Sequence, residues 1–81
     1  MSVRLVLYSR AYCHLCHDMV AKLEPLRDEL GFDLRVLDVD EDPALERRYG
    51  EVVPVLAHGD VELARTRLDA AELRAYLRRL G

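Results

Sequence analysis

The first apolar stretch, Val3-Arg4-Leu5-Val6-Leu7-Tyr8, is short, partly β-branched and followed by the polar pair Ser9-Arg10. A run of that length before a polar break reads as a largely buried strand. From Cys13 the period changes. Leu15, Met19, Leu23, Leu26 and Leu30 recur every three or four positions, as on one face of a helix, and Gly31 stands where a left-handed residue would close it. Pro25 falls inside that pattern; it lacks an amide donor and would press on the carbonyl of Ala21, which predicts a kink or a helix that stops and restarts. Asp33 to Val39 carries Leu34, Val36, Leu37 and Val39 as apolar positions and reads as a second strand, buried on more than one side. The helical connection makes this strand parallel to the first.

Asp42 as N-cap and Pro43 at the first helical position predict a short helix to about Tyr49, closed by Gly50. Val52 to Ala57 is β-rich, but Pro54 cannot donate to a sheet, which confines it to a strand start or a special peptide bond. Gly59-Asp60 separates this run from Val61-Glu62-Leu63-Ala64, the pattern of an antiparallel hairpin. Asp69 with Glu72 forms a candidate capping box, and Leu73, Tyr76, Leu77 and Leu80 give the last helix an apolar stripe. The order β-α-β-α-β-β-α predicts an α/β fold with a four-stranded mixed sheet flanked by helices, one domain over residues 1–81, without repeats or linkers.

Composition narrows the classes. At 81 residues with 51% hydrophobic and 33% charged positions, the chain has the make-up of a folded soluble domain with a modest core. Twelve basic residues are mixed with fifteen acidic ones for a net charge of -3, so no clustered basic face is expected and nucleic acid is not an expected partner. Arg47-Arg48 and Arg74, Arg78 and Arg79 read as solvated helix faces. No run reaches the roughly 18 apolar residues of a membrane span. Met1 to Tyr8 is too short and too interrupted for a leader's apolar region, so a reducing, cytoplasmic setting and a monomer are expected, with no membrane partner.

Two cysteines cannot make a disulfide scaffold; close together in such a chain they point to catalysis or metal. Tyr12-Cys13-His14-Leu15-Cys16-His17 admits three readings: a redox dithiol, half of a zinc site, or a C-x-x-C-H haem attachment. Haem attachment asks for export and a distal ligand. Zinc needs four ligands, and Cys13, Cys16, His17 and His58 supply them only if His58 reaches the motif. For the dithiol, Cys13 at a helix start has its thiolate favoured by unpaired amides and the macrodipole. Cys16, one turn on, is then the resolving thiol. Arg10 and His14 add positive potential, Tyr12 packs over the sulfur or lines a substrate groove, and His17 faces solvent. The Val53-Pro54 bond is a candidate cis peptide, beside which the backbone of Val53 would meet an extended thiol substrate; a trans proline at a strand edge fits the sequence equally.

Taken together, Tyr8 to Cys16, Asp38-Val39-Asp40, Leu45, Arg48-Tyr49-Gly50 and Val53-Pro54-Val55-Leu56 resemble the glutaredoxin family of the thioredoxin superfamily, and among it the short, divergent bacterial glutaredoxin-like proteins. The resemblance covers nearly the whole chain. It implies a thiol–disulfide oxidoreductase, with Cys13 as nucleophile, Cys16 as resolving cysteine, Pro54 as the cis proline and Val53 as a backbone substrate contact. Arg10 stands where glutaredoxins often carry a lysine that meets a glutathione carboxylate. The usual Pro-Tyr between the cysteines is His14-Leu15 here, and the glycines and acidic residues that hold glutathione are replaced by Ala64-Arg65-Thr66-Arg67-Leu68, where Thr66, Arg67 and Asp69 would partly substitute. No metal or organic cofactor is required by this chemistry, and glutathione is the implied co-substrate. The implied partners are a disulfide-containing protein or a glutathione mixed disulfide. The alternative from a different class is a binding or scaffold domain that keeps the fold without the activity.

Overall fold

The strand that opens the chain becomes the middle of the sheet. In a computed structural model that describes residues 3–80, β1 (Arg4–Ser9) pairs in parallel with β2 (Asp33–Asp38) and antiparallel with β3 (Val55–His58). β4 (Val61–Arg65) extends β3 antiparallel, giving the expected four-stranded mixed sheet, in which the order across the sheet is β2-β1-β3-β4. Met1 and Ser2, the first residues of the stretch judged too short for a leader, and Gly81 lie outside the described residues.

Alternation along β1 sends Leu5 and Leu7 to one face, where both are wholly buried, and Val6 and Tyr8 to the other. Leu5, Leu7 and Leu56 form a core with Met19, Leu23 and Leu26 of α1 (His14–Leu30), with Phe32, and with Leu68 and Leu73. Leu73 belongs to α3 (Ala70–Leu80), so α1 and α3 cover the same face. Burying each such side chain contributes about 1.5–3 kcal/mol. On the opposite face Tyr8 lies across from Val55, and Tyr49 of α2 (Pro43–Tyr49) stacks on Tyr8 with ring centroids 4.1 Å apart. Burial raises the Tyr8 pKa, and the neighbouring Tyr49 raises it further.

Several local readings shift. Helix α1 does not stop and restart at Pro25 but continues through it; Pro25 sits on the exposed side, as does Ala21, so the carbonyl that loses its donor is on the solvent side. Leu15 is 43% exposed, and the inward position of that first turn is held by Cys16. Gly31 ends the helix as expected, at φ 74 with its N–H donated to the Arg27 carbonyl at 2.8 Å. β2 is an edge strand rather than one buried on both sides: Leu34 and Leu37 are half-buried, and Val36 is 49% exposed. Val39 does not continue it but opens a short 3-10 turn (Val39–Glu41), where it is fully buried.

Asp42 caps α2 by accepting the Ala44 N–H at 2.9 Å, with Pro43 following it. β3 starts at Val55 instead of Val52, because the Val52 and Val53 amides donate to the Tyr49 carbonyl at 2.9 and 3.0 Å and Pro54 has none to give. Asp69 Oδ1 accepts the amides of Ala71 and Glu72 at 2.9 and 3.2 Å, capping α3, while Leu80 falls outside the stripe at 47% exposure. Arg74 of α3 grips Glu29 of α1 through two bonds of 2.7 and 2.9 Å. Among the described residues no helix is long and apolar enough to cross a membrane.

Candidate active site

β1 and β3 run antiparallel with Tyr8 opposite Val55, so the end of β1 and the start of β3 lie at one end of the sheet. The Ser9–Cys13 turn and the Val53–Pro54 segment therefore share that end. Cys13 donates its N–H to the Arg10 carbonyl at 3.3 Å and then takes the N-cap position of α1 with an extended backbone, φ -113 and ψ 105. Its Sγ accepts the Cys16 N–H at 3.0 Å. The two cysteines are joined as a disulfide, with Cα atoms 5.2 Å apart.

Cys16 is fully buried and Cys13 is half-buried. No acidic side chain stands in the first turn of α1. Negative charge left on Cys13 after reduction would face a donated amide and a helix N-terminus, an interaction of about 0.3–1 kcal/mol when exposed and up to ~2 kcal/mol when partly buried.

The bond between Val53 and Pro54 is cis, as the family resemblance implies. The Val53 amide is committed to Tyr49; its carbonyl takes no donor among the described residues. Pro54 accepts the Thr66 N–H at 2.8 Å, and the next amide, Arg67, folds back on the Arg65 carbonyl at 2.7 Å. This is a γ-turn centred on Thr66, whose φ of 69 is uncommon for a β-branched residue. The turn puts Thr66, Arg67 and Leu68 along one wall of a groove of about 440 Å³ whose other wall is Leu15, Asp18, Met19 and Lys22 of α1.

Arg10 is engaged within the chain. Its guanidinium donates to Asp40 (3.1 Å through Nε), to the Gly50 carbonyl (3.0 Å) and to Glu46 (3.4 Å). It thus ties the turn that presents Cys13 to the C-terminal end of α2. Gly50 makes this approach feasible, since a Cβ there would lie 2.9 Å from an Arg10 nitrogen. Arg10 itself was legible as a residue near the cysteine, but partners 30, 36 and 40 positions away leave no local signal.

The remaining candidates scatter. Tyr12 is 99% exposed and so stands away from the sulfur. His14 faces Asp18 at 3.4 Å, and His17 is exposed. His58 lies at the far end of β3 from Pro54, with Nδ1 2.7 Å from the Tyr76 hydroxyl, and does not reach the cysteines. Among the described residues no group of three or more His, Cys, Asp or Glu side chains is gathered to hold a metal.

A mixed sheet in this order, with a Cys-x-x-Cys pair at the head of the first helix, is the thioredoxin fold. The family model described as "Glutaredoxin-like domain (DUF836)" matches residues 4–78, and the chain belongs to that family. Uncharacterized proteins of Mycobacterium tuberculosis and Mycobacterium bovis are 33% identical over 78 residues, covering 90% of this chain and 80% of theirs. The solution structure of protein Ne2328 from Nitrosomonas europaea is 38% identical, with a TM-score of 0.80 over 94% of this chain and 92% of that one. The X-ray structure of the structural genomics target protein XcR50 from X. campestris is 37% identical with a TM-score of 0.74, covering 93% of this chain and 96% of that one. Thioredoxin 1 of Thermosipho africanus, at 19% identity and a TM-score of 0.66 over 95% and 97%, shares the fold.

Proposed function

We propose that this protein is a thiol–disulfide oxidoreductase in which Cys13 attacks and Cys16 resolves. In the reduced protein the Cys13 thiolate attacks one sulfur of a substrate disulfide; a Cys13–substrate disulfide forms and the other substrate sulfur leaves as thiolate. Cys16 then loses its proton to solvent and attacks Cys13 Sγ. The second substrate thiolate departs, the Cys13–Cys16 disulfide closes, and two electrons have passed to the substrate. The Val53 carbonyl, exposed Tyr12, and the Thr66–Arg67 wall are the proposed substrate contacts. Two glutathione thiols, oxidised to glutathione disulfide, are the proposed source of the returning electrons, in a reducing cytoplasm and in the service of redox homeostasis.

The observation that carries this reading is the asymmetry of the pair: Cys13 is accessible and holds an amide on its sulfur, while Cys16 is buried one turn behind it. The test is to equilibrate the protein in glutathione buffers of graded redox poise, quench with acid and weigh the intact species. Reversible loss of two hydrogens is expected in the native protein. Cys16→Ser should trap a glutathione adduct on Cys13 and keep exchange with glutathione mixed disulfides, whereas Cys13→Ser should abolish exchange. Equal residual activity in the two variants would overturn the assignment of roles, and thiols unchanged at every poise would overturn the activity.

A further inference from the structure

Of the four tyrosines in the chain, two are stacked and two stand apart. Tyr8 of β1 and Tyr49, the last residue of α2, have ring centroids 4.1 Å apart and planes that diverge by 17°. The pKa of Tyr8 is raised first by burial and then by the Tyr49 hydroxyl, which places the two phenol oxygens at the same end of the stack. The ortho carbons, Cε of each ring, flank those oxygens and so face one another as well. Arg48 holds its guanidinium carbon 5.1 Å from the Tyr49 centroid; with Tyr8 filling one face of that ring, the cation takes the other. Tyr49 is therefore enclosed between Arg48 and Tyr8. Tyr12 is 99% exposed, and Tyr76 meets His58 edge-on at 5.7 Å rather than a second phenol.

We propose that Tyr8 and Tyr49 are a modification site at which one-electron oxidants, of the kind haem peroxidases form from hydrogen peroxide, join the two rings as an intramolecular dityrosine. Each ring gives one electron to the oxidant and its hydroxyl proton to solvent, leaving two phenoxyl radicals. The unpaired electron of a phenoxyl radical is spread over the oxygen and the ortho and para carbons, in orbitals perpendicular to the ring. Stacking points these orbitals of the two rings at each other, so the electrons pair in a new bond between a Cε of Tyr8 and a Cε of Tyr49. The hydrogen on each bonded carbon then passes through solvent to the ring oxygen, which restores both phenols. The protein has lost two hydrogens in all, and the oxidant has gained two electrons. Holding the rings in contact replaces a collision between molecules by a step within one. The bond ties the end of β1, from which the Cys13 turn departs, to the end of α2, which Arg10 already holds to that turn. The site makes no use of the thiols and is independent of the exchange proposed for Cys13.

The test oxidises the disulfide form of the full chain in dilute solution with photogenerated tris(bipyridine)ruthenium(III), a small one-electron oxidant, raised until exposed Tyr12 couples molecules into dimers. The monomer is then isolated and read by dityrosine fluorescence, intact mass and peptide mapping. The expected product is a monomer lighter by two hydrogens, with the Tyr8 peptide joined to the Tyr49 peptide. Tyr8→Phe and Tyr49→Phe keep the rings and should each lower monomer dityrosine by roughly tenfold or more, the advantage of a held pair over a free one. Tyr12→Phe should remove the dimers and leave the monomer product, and Tyr76→Phe should leave it too. Dimers without any dityrosine in the monomer would overturn the proposal, as would a monomer crosslink mapped to Tyr12 or Tyr76. So would monomer dityrosine that persists in both of the first two variants, or monomer rings that gain oxygen in place of coupling.

Discussion

Replacing Arg10 by alanine removes one cation from three acceptors on two other elements. The bond to the Gly50 carbonyl is part-buried and charge-assisted, in the class that contributes ~1.5 kcal/mol or more. The pairs with Asp40 and Glu46 involve carboxylates that are 46% and 51% exposed, so solvent screening holds each to roughly 0.5 kcal/mol or less. The expected loss is about 2 kcal/mol, which in a domain of this size lowers the melting temperature by roughly 8–16 °C. Urea titration at matched salt measures it, with the slope unchanged if the unfolded state is the same. Arg10→Lys should recover less than half, because a point ammonium cannot bridge three acceptors as a planar fork does. Asp40→Asn should cost well under 1 kcal/mol. A loss below about 0.5 kcal/mol for Arg10→Ala, or full recovery by lysine, would refute the reasoning that this side chain clamps the cysteine turn to α2.

Leu23→Ala, at a wholly buried position away from the disulfide, should cost about 2–5 kcal/mol in chemical denaturation while thiol exchange per folded molecule stays unchanged. Gly31→Ala, at φ 74 with open space around it, should cost roughly 1–2 kcal/mol through backbone strain alone, visible as an earlier urea midpoint. The Arg74 bond holds Glu29 below its usual carboxylate range, so its stabilisation is present above the unfolded-state pKa and is lost as pH falls through the depressed folded one. Glu29→Gln should accordingly be less stable than the native protein at neutral pH and converge with it in acid, read from melting temperatures across that range.

Local chemistry made most elements legible. Helix ends need particular residues at particular offsets, and Asp42-Pro43, Asp69 and Gly31 occupy them, so these ends could be read before any packing was known. The dithiol was legible for the same reason: three-residue spacing at a helix start puts one sulfur on the cap and the other one turn in. What the chain could not announce was which neighbour each apolar position meets. Leu34, Val36 and Leu37 are as apolar as a central strand requires, yet β2 is at the edge because among the described residues nothing else pairs beyond it. Leu15 fits the helical stripe, but Cys16 takes the inward place and leaves Leu15 to the groove. Arg10 meets Asp40, Glu46 and Gly50, and Lys22 and Arg67 come to line one groove, only after the crossover helix and the strand order have folded distant segments together. Spacing along the chain determined caps, periods and the cysteine pair, because those are set by the backbone within a turn or two. Edges, clamps and the groove's charge were decided by tertiary structure, because contacts between segments thirty or more positions apart leave no periodic trace in the sequence.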